Sequence, residues 1–403
     1  MLGIYRGQIV LNASWYRIIS LAALQGAITL SWLIYNIYLP KLLIGYGFSP
    51  SLAVTLLIIE NAIAVILEPL FGSLSDRAYQ WIATKFGFVS LGVILTATLT
   101  VLIPAVFVFR DLFSAASWIL PGVLVAWAIA MTVFRTPAIS LIGRYAFASE
   151  LPIAMSFLTL VGGFVGAIRP LSQDFILSLG APAAFTIASI VLLAATALLR
   201  YFDPPVSNNL NVTERKPIVW THVGLLIVMG WGMAWGVRCI FETLPKVLKL
   251  NIPQFDPAIL MVAISLAIAV SALPAGLFAS KYGNRSAMLI GAMATSIALL
   301  MMVFVPTIAT VALAVLLIIC CFSWVTNGAV PLAINVLPPH RSGLAVGLYF
   351  SGFTGGISSF SSLFNPISNL TPLLGAICGA IGFMVAGGCV LNLSDRAGVD
   401  KDI

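Results

Sequence analysis

The sequence predicts an all-α polytopic membrane protein: twelve transmembrane helices in two six-helix bundles, related as a parallel pseudo-repeat. Composition, the recurrence of long apolar stretches and the repetition of the first half in the second carry this reading. Of 403 residues, 61% are hydrophobic and 8% charged, against about 25% charged in a soluble domain. Apolar runs near twenty residues recur along the chain, each enough to cross roughly 30 Å of hydrocarbon.

The spans are predicted near 15–39, 50–72, 82–108, 117–138, 152–178 and 181–202, then 218–244, 256–279, 286–306, 308–335, 342–367 and 371–392. Residues 1–203 form the first bundle, the polar stretch 204–217 a cytoplasmic linker, and 218–403 the second bundle. The Met1–Ser14 segment is polar and short, so no cleavable leader is expected.

Orientation follows from the basic residues. With both termini in the cytoplasm, one side carries thirteen: Arg6, Arg77, Lys85, Arg135, Arg144, Arg200, Arg215, Lys216, Lys281, Arg285, Arg341, Arg396 and Lys401. The other carries four, Lys41, Arg110, Lys246 and Lys249. This bias fits a cell-membrane protein with inward termini, and it assigns the net charge of +7 to topology rather than nucleic acid. The five cysteines (Cys239, Cys320, Cys321, Cys378 and Cys389) lack metal-like spacing and are read as packing residues. The sequons at Asn12 and Asn211 fall on the cytoplasmic side. His222 and His340 sit at cytoplasmic helix edges without a ligand set. No cofactor, metal site or nucleophile–base set is expected, and no phosphate-binding Gly-Lys-Ser/Thr loop is present.

The halves repeat in parallel. "PKLLIGYGFSPSLAV" (40–54) returns as "PKVLKLNIPQFDPAIL" (245–260), "GSLSDR" (72–77) pairs with "GLFASKYGNR" (276–285), and "GGFVGAI" (162–168) with "SGFTGGI" (351–357). Parallel repeats about an axis along the membrane normal are a transporter plan, with the substrate near the midplane between them.

"GSLSDR" resembles the loop signature of the major facilitator superfamily, G-x-x-x-D-[RK]-x-G-[RK]-[RK]. Gly72, Asp76 and Arg77 match it in the first half. Gly276, Lys281, Gly283 and Arg285 match in the second, where Ser280 replaces the Asp. "NAIAVILEPLFGSLSDR" (61–77), "FRTPAISLI" (134–142) and "NGAVPLAINVLPPHRSGLAVGLYF" (327–350) further resemble the glycoside–pentoside–hexuronide:cation symporters and their sucrose-transporter-like relatives. The resemblance implies the major facilitator fold, alternating access and a cytoplasmic latch made by these loops together with Arg135. Gly72 permits close helix approach, and Asp76 can meet the positive N-terminus of a helix from the other half.

Periodicity supplies substrate candidates. Gln25, Thr29, Trp32 and Asn36 share one face of the first span. Trp231, Trp235, Arg238 and Glu242 repeat the same steps in the seventh. Trp rings stack on sugars or cations, and amides bond hydroxyls; helix packing with polar contacts is the plainer reading. Asn327, with Ser323 and Trp324, is a weaker cavity candidate, with helix packing as an equal alternative. Arg238, roughly 27 Å along its helix from Trp220, pairs in sequence with Glu242. An outer gate, a substrate contact and a snorkelling pair all remain open for these two.

Glu60 falls near the midplane, where an ionised carboxylate is costly and usually functional. It is a candidate for coupling or gating, the alternative being a permanently hydrogen-bonded group. Glu68, beside Pro69, is read as latch support. Arg169 and Asp174 are coupling or gating candidates that point about 140° apart on a regular helix, unless Pro170 bends it.

The leading expectation is a monomeric secondary carrier of a small polar, glycoside-like solute, coupled to a proton or monovalent cation. Arg169, Arg238 and the absence of acidic residues at Gly143–Arg144 and Asn335 motivate an organic anion or amphiphile exporter instead. A non-transporting scaffold for pigments or lipids is the reading from another class.

Overall fold

The computed structural model describes residues 2–82, 86–109, 117–203, 218–364 and 370–393, with side chains in those stretches except 2–14, 79–82 and 86. Lys85, Arg110, Arg215, Lys216, Arg396, Lys401, Asn211 and the linker 204–217 lie outside the described residues, as do the side chains of Arg6 and Asn12.

The first half runs α1 (Leu2–Gly45), α2 (Ser51–Ile82), α3 (Phe86–Val108), α4 (Ile119–Ser140), the short α5 (Ile142–Tyr145), α6 (Leu151–Ala167), α7 (Arg169–Ser178) and α8 (Ala181–Phe202). The second runs α9 (Trp220–Asn251), α10 (Pro257–Tyr282), α11 (Asn284–Phe304), α12 (Ile308–Val336), α13 (Ser342–Leu363) and α14 (Pro372–Asn392). Among the described residues, ten helices are long and apolar enough to cross a membrane, and α6 with α7 makes a bent eleventh span. The twelfth, α13, is rich in Gly and Ser. That composition lowers its hydropathy but suits its place in the interior, where Ala345, Val346, Leu348 and Tyr349 are buried.

Large apolar side chains cover the outside, among them Ile66, Leu91, Ile94, Ile190, Val270 and Leu316. With the spanning segments helical, that exterior is what hydrocarbon requires. The chain is an integral multi-pass membrane protein.

One predicted span changes shape. Residues 152–178 are not one helix: α6 ends at Ala167 and α7 leaves at 61°. Pro170 stands in the first turn of α7, where its ring excludes the carbonyl four residues back and interrupts the ladder.

Two antiparallel helix pairs form the seam between halves: α2 with α13, and α6 with α10. Both pairs make their closest glycine approaches at the end where α2 and α10 finish and α6 and α13 begin, and the α2–α13 contact continues to Ser358, which donates to the Ile58 carbonyl at 3.2 Å. Since α1 begins there and α14 ends there, it is called here the terminus-bearing end; the charge bias predicts it to be cytoplasmic. A Cβ on Gly72 would run into the Gly343 carbonyl, and one on Gly276 would stand 2.8 Å from the Pro152 carbonyl oxygen. Glycine at these positions lets backbone meet backbone across the seam.

Candidate functional site

A cavity of about 450 Å³ lies between the halves, walled by α1, α6, α9, α10 and α12. Gln25, Thr29, Thr159, Ser265 and Thr326 supply its polar groups, while Phe241, Phe322, Met155 and Ile268 give apolar surface. Among the described residues, no ionisable side chain lines it. Gln25 Oε1 is buried without a hydrogen-bond partner, and Thr29 Oγ1 donates to the Gln25 carbonyl at 2.9 Å. Gly162, Gly163 and Gly166 thin the α6 wall; a Cβ on Gly162 would stand 3.3 Å from Thr29 Oγ1.

The α1 stripe coincides with exposure. Between Ser20 and Leu39 only Ala23, Gln25, Thr29, Leu30, Trp32 and Asn36 escape full burial. Gln25 and Thr29 reach the cavity, but Trp32 and Asn36 are not among its walls. Asn36 Nδ2 instead donates to the Trp32 carbonyl at 2.7 Å. Trp32 packs edge-on against Tyr35 and Trp127.

The α9 stripe also follows the half-buried face, yet it serves a different neighbour. Trp231 and Trp235 both donate to Ser359 Oγ on α13, at 3.1 and 3.0 Å. Their rings lie 4.8 Å apart, and Trp235 meets Phe360 and Phe364 edge-on. Arg238 pairs with Glu242 at 3.5 Å and lies over the Phe360 ring. None of these four lines the cavity; Phe241 does. Periodicity identifies the exposed face of a helix, but not which neighbour that face meets.

Asn327 is placed elsewhere than expected. It is fully buried and donates to the Ala272 carbonyl at 2.8 Å, so it joins α12 to α10, and Thr326 faces the cavity in its stead. Ser323 is likewise a packing group, donating to the Ile268 carbonyl at 3.0 Å, and Trp324 stacks on Phe278. Arg169 and Asp174 are both exposed on α7, beyond the bend. Among the cysteines, Cys239, Cys321 and Cys389 are buried, but Cys320 is exposed and packs no core.

Glu60 is buried within the first half. Tyr35 Oη donates to its Oε1, and Oε2 has no partner. Tyr35 stacks on Trp127 at 4.3 Å, and Trp127 Nε1 donates to Thr100 Oγ1 at 2.8 Å. The carboxyl is thus held by α1 and braced by α4, next to the cavity-facing helix rather than in the cavity. Nothing in the spacing of Tyr35 and Trp127 announces this contact, because it joins separate helices.

At the terminus-bearing end, Asp76 accepts from the backbone N–H groups of Gly343 and Leu344, at 3.0 and 2.9 Å. These are donors in the first turn of α13, which its own helix leaves unsatisfied and where the helix dipole favours a carboxylate. Two turns back, the fully buried Glu68 takes an ion pair from Arg135 and a hydrogen bond from Thr136. Arg135 also lies 4.8 Å from the Phe350 ring of α13, tying α2 and α4 to the second half. Arg77 is exposed. In the second half, Gly276 meets α6, whereas Lys281 lies over Tyr282 and Arg285 donates to the Leu391 carbonyl.

The fold has known counterparts. A bacterial homologue of the iron transporter ferroportin, in an outward-facing state, superposes with a TM-score of 0.70 at 14% identity, covering 93% of this chain and 99% of that one. The E. coli fucose:proton symporter FucP gives 0.69 at 12%, covering 94% and 98%. The human organic anion transporter MFSD10 gives 0.67 at 12%, covering 94% and 99%. At such identities the likeness is one of fold. No curated protein sequence matches the chain. The Major Facilitator Superfamily model matches residues 21–361, and with helical spans in two halves that meet along two glycine-lined helix pairs, the chain belongs to that superfamily of membrane transporters.

Proposed function

We propose that this transporter is a secondary carrier of a small, uncharged, glycoside-like solute, working by alternating access. The cavity carries the reading. Its volume of about 450 Å³ suits a small ligand. Its five hydroxyl and amide side chains meet the needs of sugar hydroxyls, and Phe241 and Phe322 offer rings to an apolar sugar face. An unpartnered Gln25 Oε1 is an acceptor awaiting a donor.

Proton coupling is assigned to Glu60. A carboxyl deep in a span is expensive unless it has a task. This one has one oxygen on Tyr35 and the other unpartnered. Tyr35 stands on α1, the helix that presents Gln25 and Thr29 to the cavity, which offers a mechanical link between carboxyl and solute. Fucose:proton symport on the same fold supports this assignment by analogy. The Asp76–α13 contact acts as the latch of the state seen here, with the terminus-bearing end closed.

An organic anion is the second reading, favoured by Arg238, whose side chain is 40% exposed. Glu242 already pairs with it and neither lines the cavity, so the neutral solute is preferred. A scaffold would require neither a polar-lined cavity nor a carboxylate from one half on the helix N-terminus of the other.

Counterflow into proteoliposomes with a panel of neutral glycosides and organic anions tests the proposal. Saturable uptake of a glycoside, reduced by Gln25→Ala, supports it; uptake confined to anions and abolished by Arg238→Gln replaces it with the second reading.

A further inference from the structure

A second cavity, of about 490 Å³, opens at the terminus-bearing end and is separate from the solute site. Arg77 of α2 and Arg341 before α13 give it a basic wall, with His340 beside them. Arg341 Nε donates to His340 Nε2 at 3.4 Å, so the imidazole is the acceptor of this pair and the charge is the guanidinium's. The carboxylate in the lining is Asp76, and both its oxygens accept from α13 backbone N–H groups. The basic side chains therefore dominate the potential. The remaining wall is apolar, formed by Val223, Leu348 and Trp220 among others. Trp220 opens α9 and is 79% exposed, a placement typical of an indole at the boundary between headgroups and hydrocarbon.

We propose that this seam binds an anionic phospholipid from the adjoining leaflet. Guanidinium groups match phosphate oxygens in geometry and charge, and basic pockets between spanning helices suit lipid headgroups. The apolar wall and the boundary position favour a lipid over a free phosphate, which has no use for either. The site draws walls from both halves: Arg77 from the first, His340, Arg341 and Trp220 from the second. It is complete only while α2 and α13 are latched. A lipid bound there stabilises the state with that end closed, because a ligand shifts an equilibrium toward the state that binds it.

The test uses the full-length protein in nanodiscs of phosphatidylcholine alone or with phosphatidylglycerol mixed in, and a third set in phosphatidylcholine with inorganic phosphate added. The expected result is a saturable rise in the unfolding midpoint with phosphatidylglycerol. Hydrogen exchange over residues 340–348 becomes roughly tenfold slower where the lipid stands about ten times above its dissociation constant. Arg77→Gln with Arg341→Gln abolishes the response. Arg77→Lys with Arg341→Lys retains part of it, which guards against a merely misfolded variant. Lys249→Gln, which removes an exposed cation at the opposite end of the molecule, leaves the response intact. Equal behaviour in phosphatidylcholine alone, an unchanged response in the double Gln variant, or equal loss in Lys249→Gln overturns the proposal. The same effect from inorganic phosphate overturns the lipid assignment.

Discussion

Two carboxylates show what single residues decide. Asp76 satisfies two backbone donors of α13 that would otherwise be orphans. Asp76→Asn keeps an acceptor but removes its charge, and charge-assisted bonds are worth about 1.5–3 kcal/mol. The expected outcome is faster amide exchange at Gly343 and Leu344, read residue by residue. Glu60 is decided by Tyr35. Tyr35→Phe leaves a buried carboxyl oxygen unpaired, and chemical denaturation is expected to register a loss of about 1–3 kcal/mol. Glu60→Gln can still accept from Tyr35, so its stability should barely change. Proton-driven accumulation should vanish while counterflow persists, which separates coupling from solute binding. The Asp76 contact is legible in the sequence because an Asp after a spanning helix has few places to go, and a helix N-terminus is the best of them. The Glu60 contact is not legible: its depth can be counted along α2, but its partners come from α1 and α4.

Elements explain why the two halves of the repeat differ at the seam. Aligning Gly162 with Ser351 pairs Gly343 with Ala154. The Gly343 N–H is free to reach Asp76, but the Ala154 N–H is already taken by the Glu150 carbonyl at 2.9 Å, because α6 starts earlier relative to the repeat. Pro152 has no N–H to give. A carboxylate at Ser280 would therefore find fewer donors than Asp76 does, and Ser280 is what the sequence has. Restoring the signature with Ser280→Asp is expected to lower the thermal midpoint rather than raise it. A higher midpoint would show that α6 does supply donors. Glycine at the seam makes a sharper prediction. Gly72→Ala forces a Cβ into the Gly343 carbonyl and should destabilise the closed end by about 1–3 kcal/mol. Gly122→Ala, with nothing within 4 Å of its Cβ, should be neutral or gain helix propensity. Urea titrations of the two variants compare them directly. The bend between α6 and α7 was conditional in the sequence: Pro170 permits it, but a proline fixes neither the angle nor its direction.

At the scale of the molecule, the bilayer made most of the fold readable. A chain that must satisfy its backbone inside hydrocarbon declares its spans through length and apolarity. α13 shows where this rule weakens, since an interior span may carry Gly and Ser in place of large apolar side chains. The site was less legible, because a cavity belongs to no single helix. Gln25 and Thr29 reach it through the α1 stripe, but Thr159, Ser265 and Thr326 sit on three other helices and share no periodic signal. The α9 stripe, equivalent by repeat, turned to α13 because Ser359 anchors both indoles.

A two-state carrier whose terminus-bearing end is held shut by Asp76, as proposed, must shift its population when that contact is weakened. The most direct measurement is pulsed electron–electron resonance between spin labels on the two halves. One label pair sits at the terminus-bearing end and a second at the opposite end, each compared in wild type and Asp76→Asn. Reciprocal shifts are expected in the variant: longer distances at the terminus-bearing end and shorter ones at the other. Unchanged distributions at both ends, or lengthening at both, would contradict the proposal.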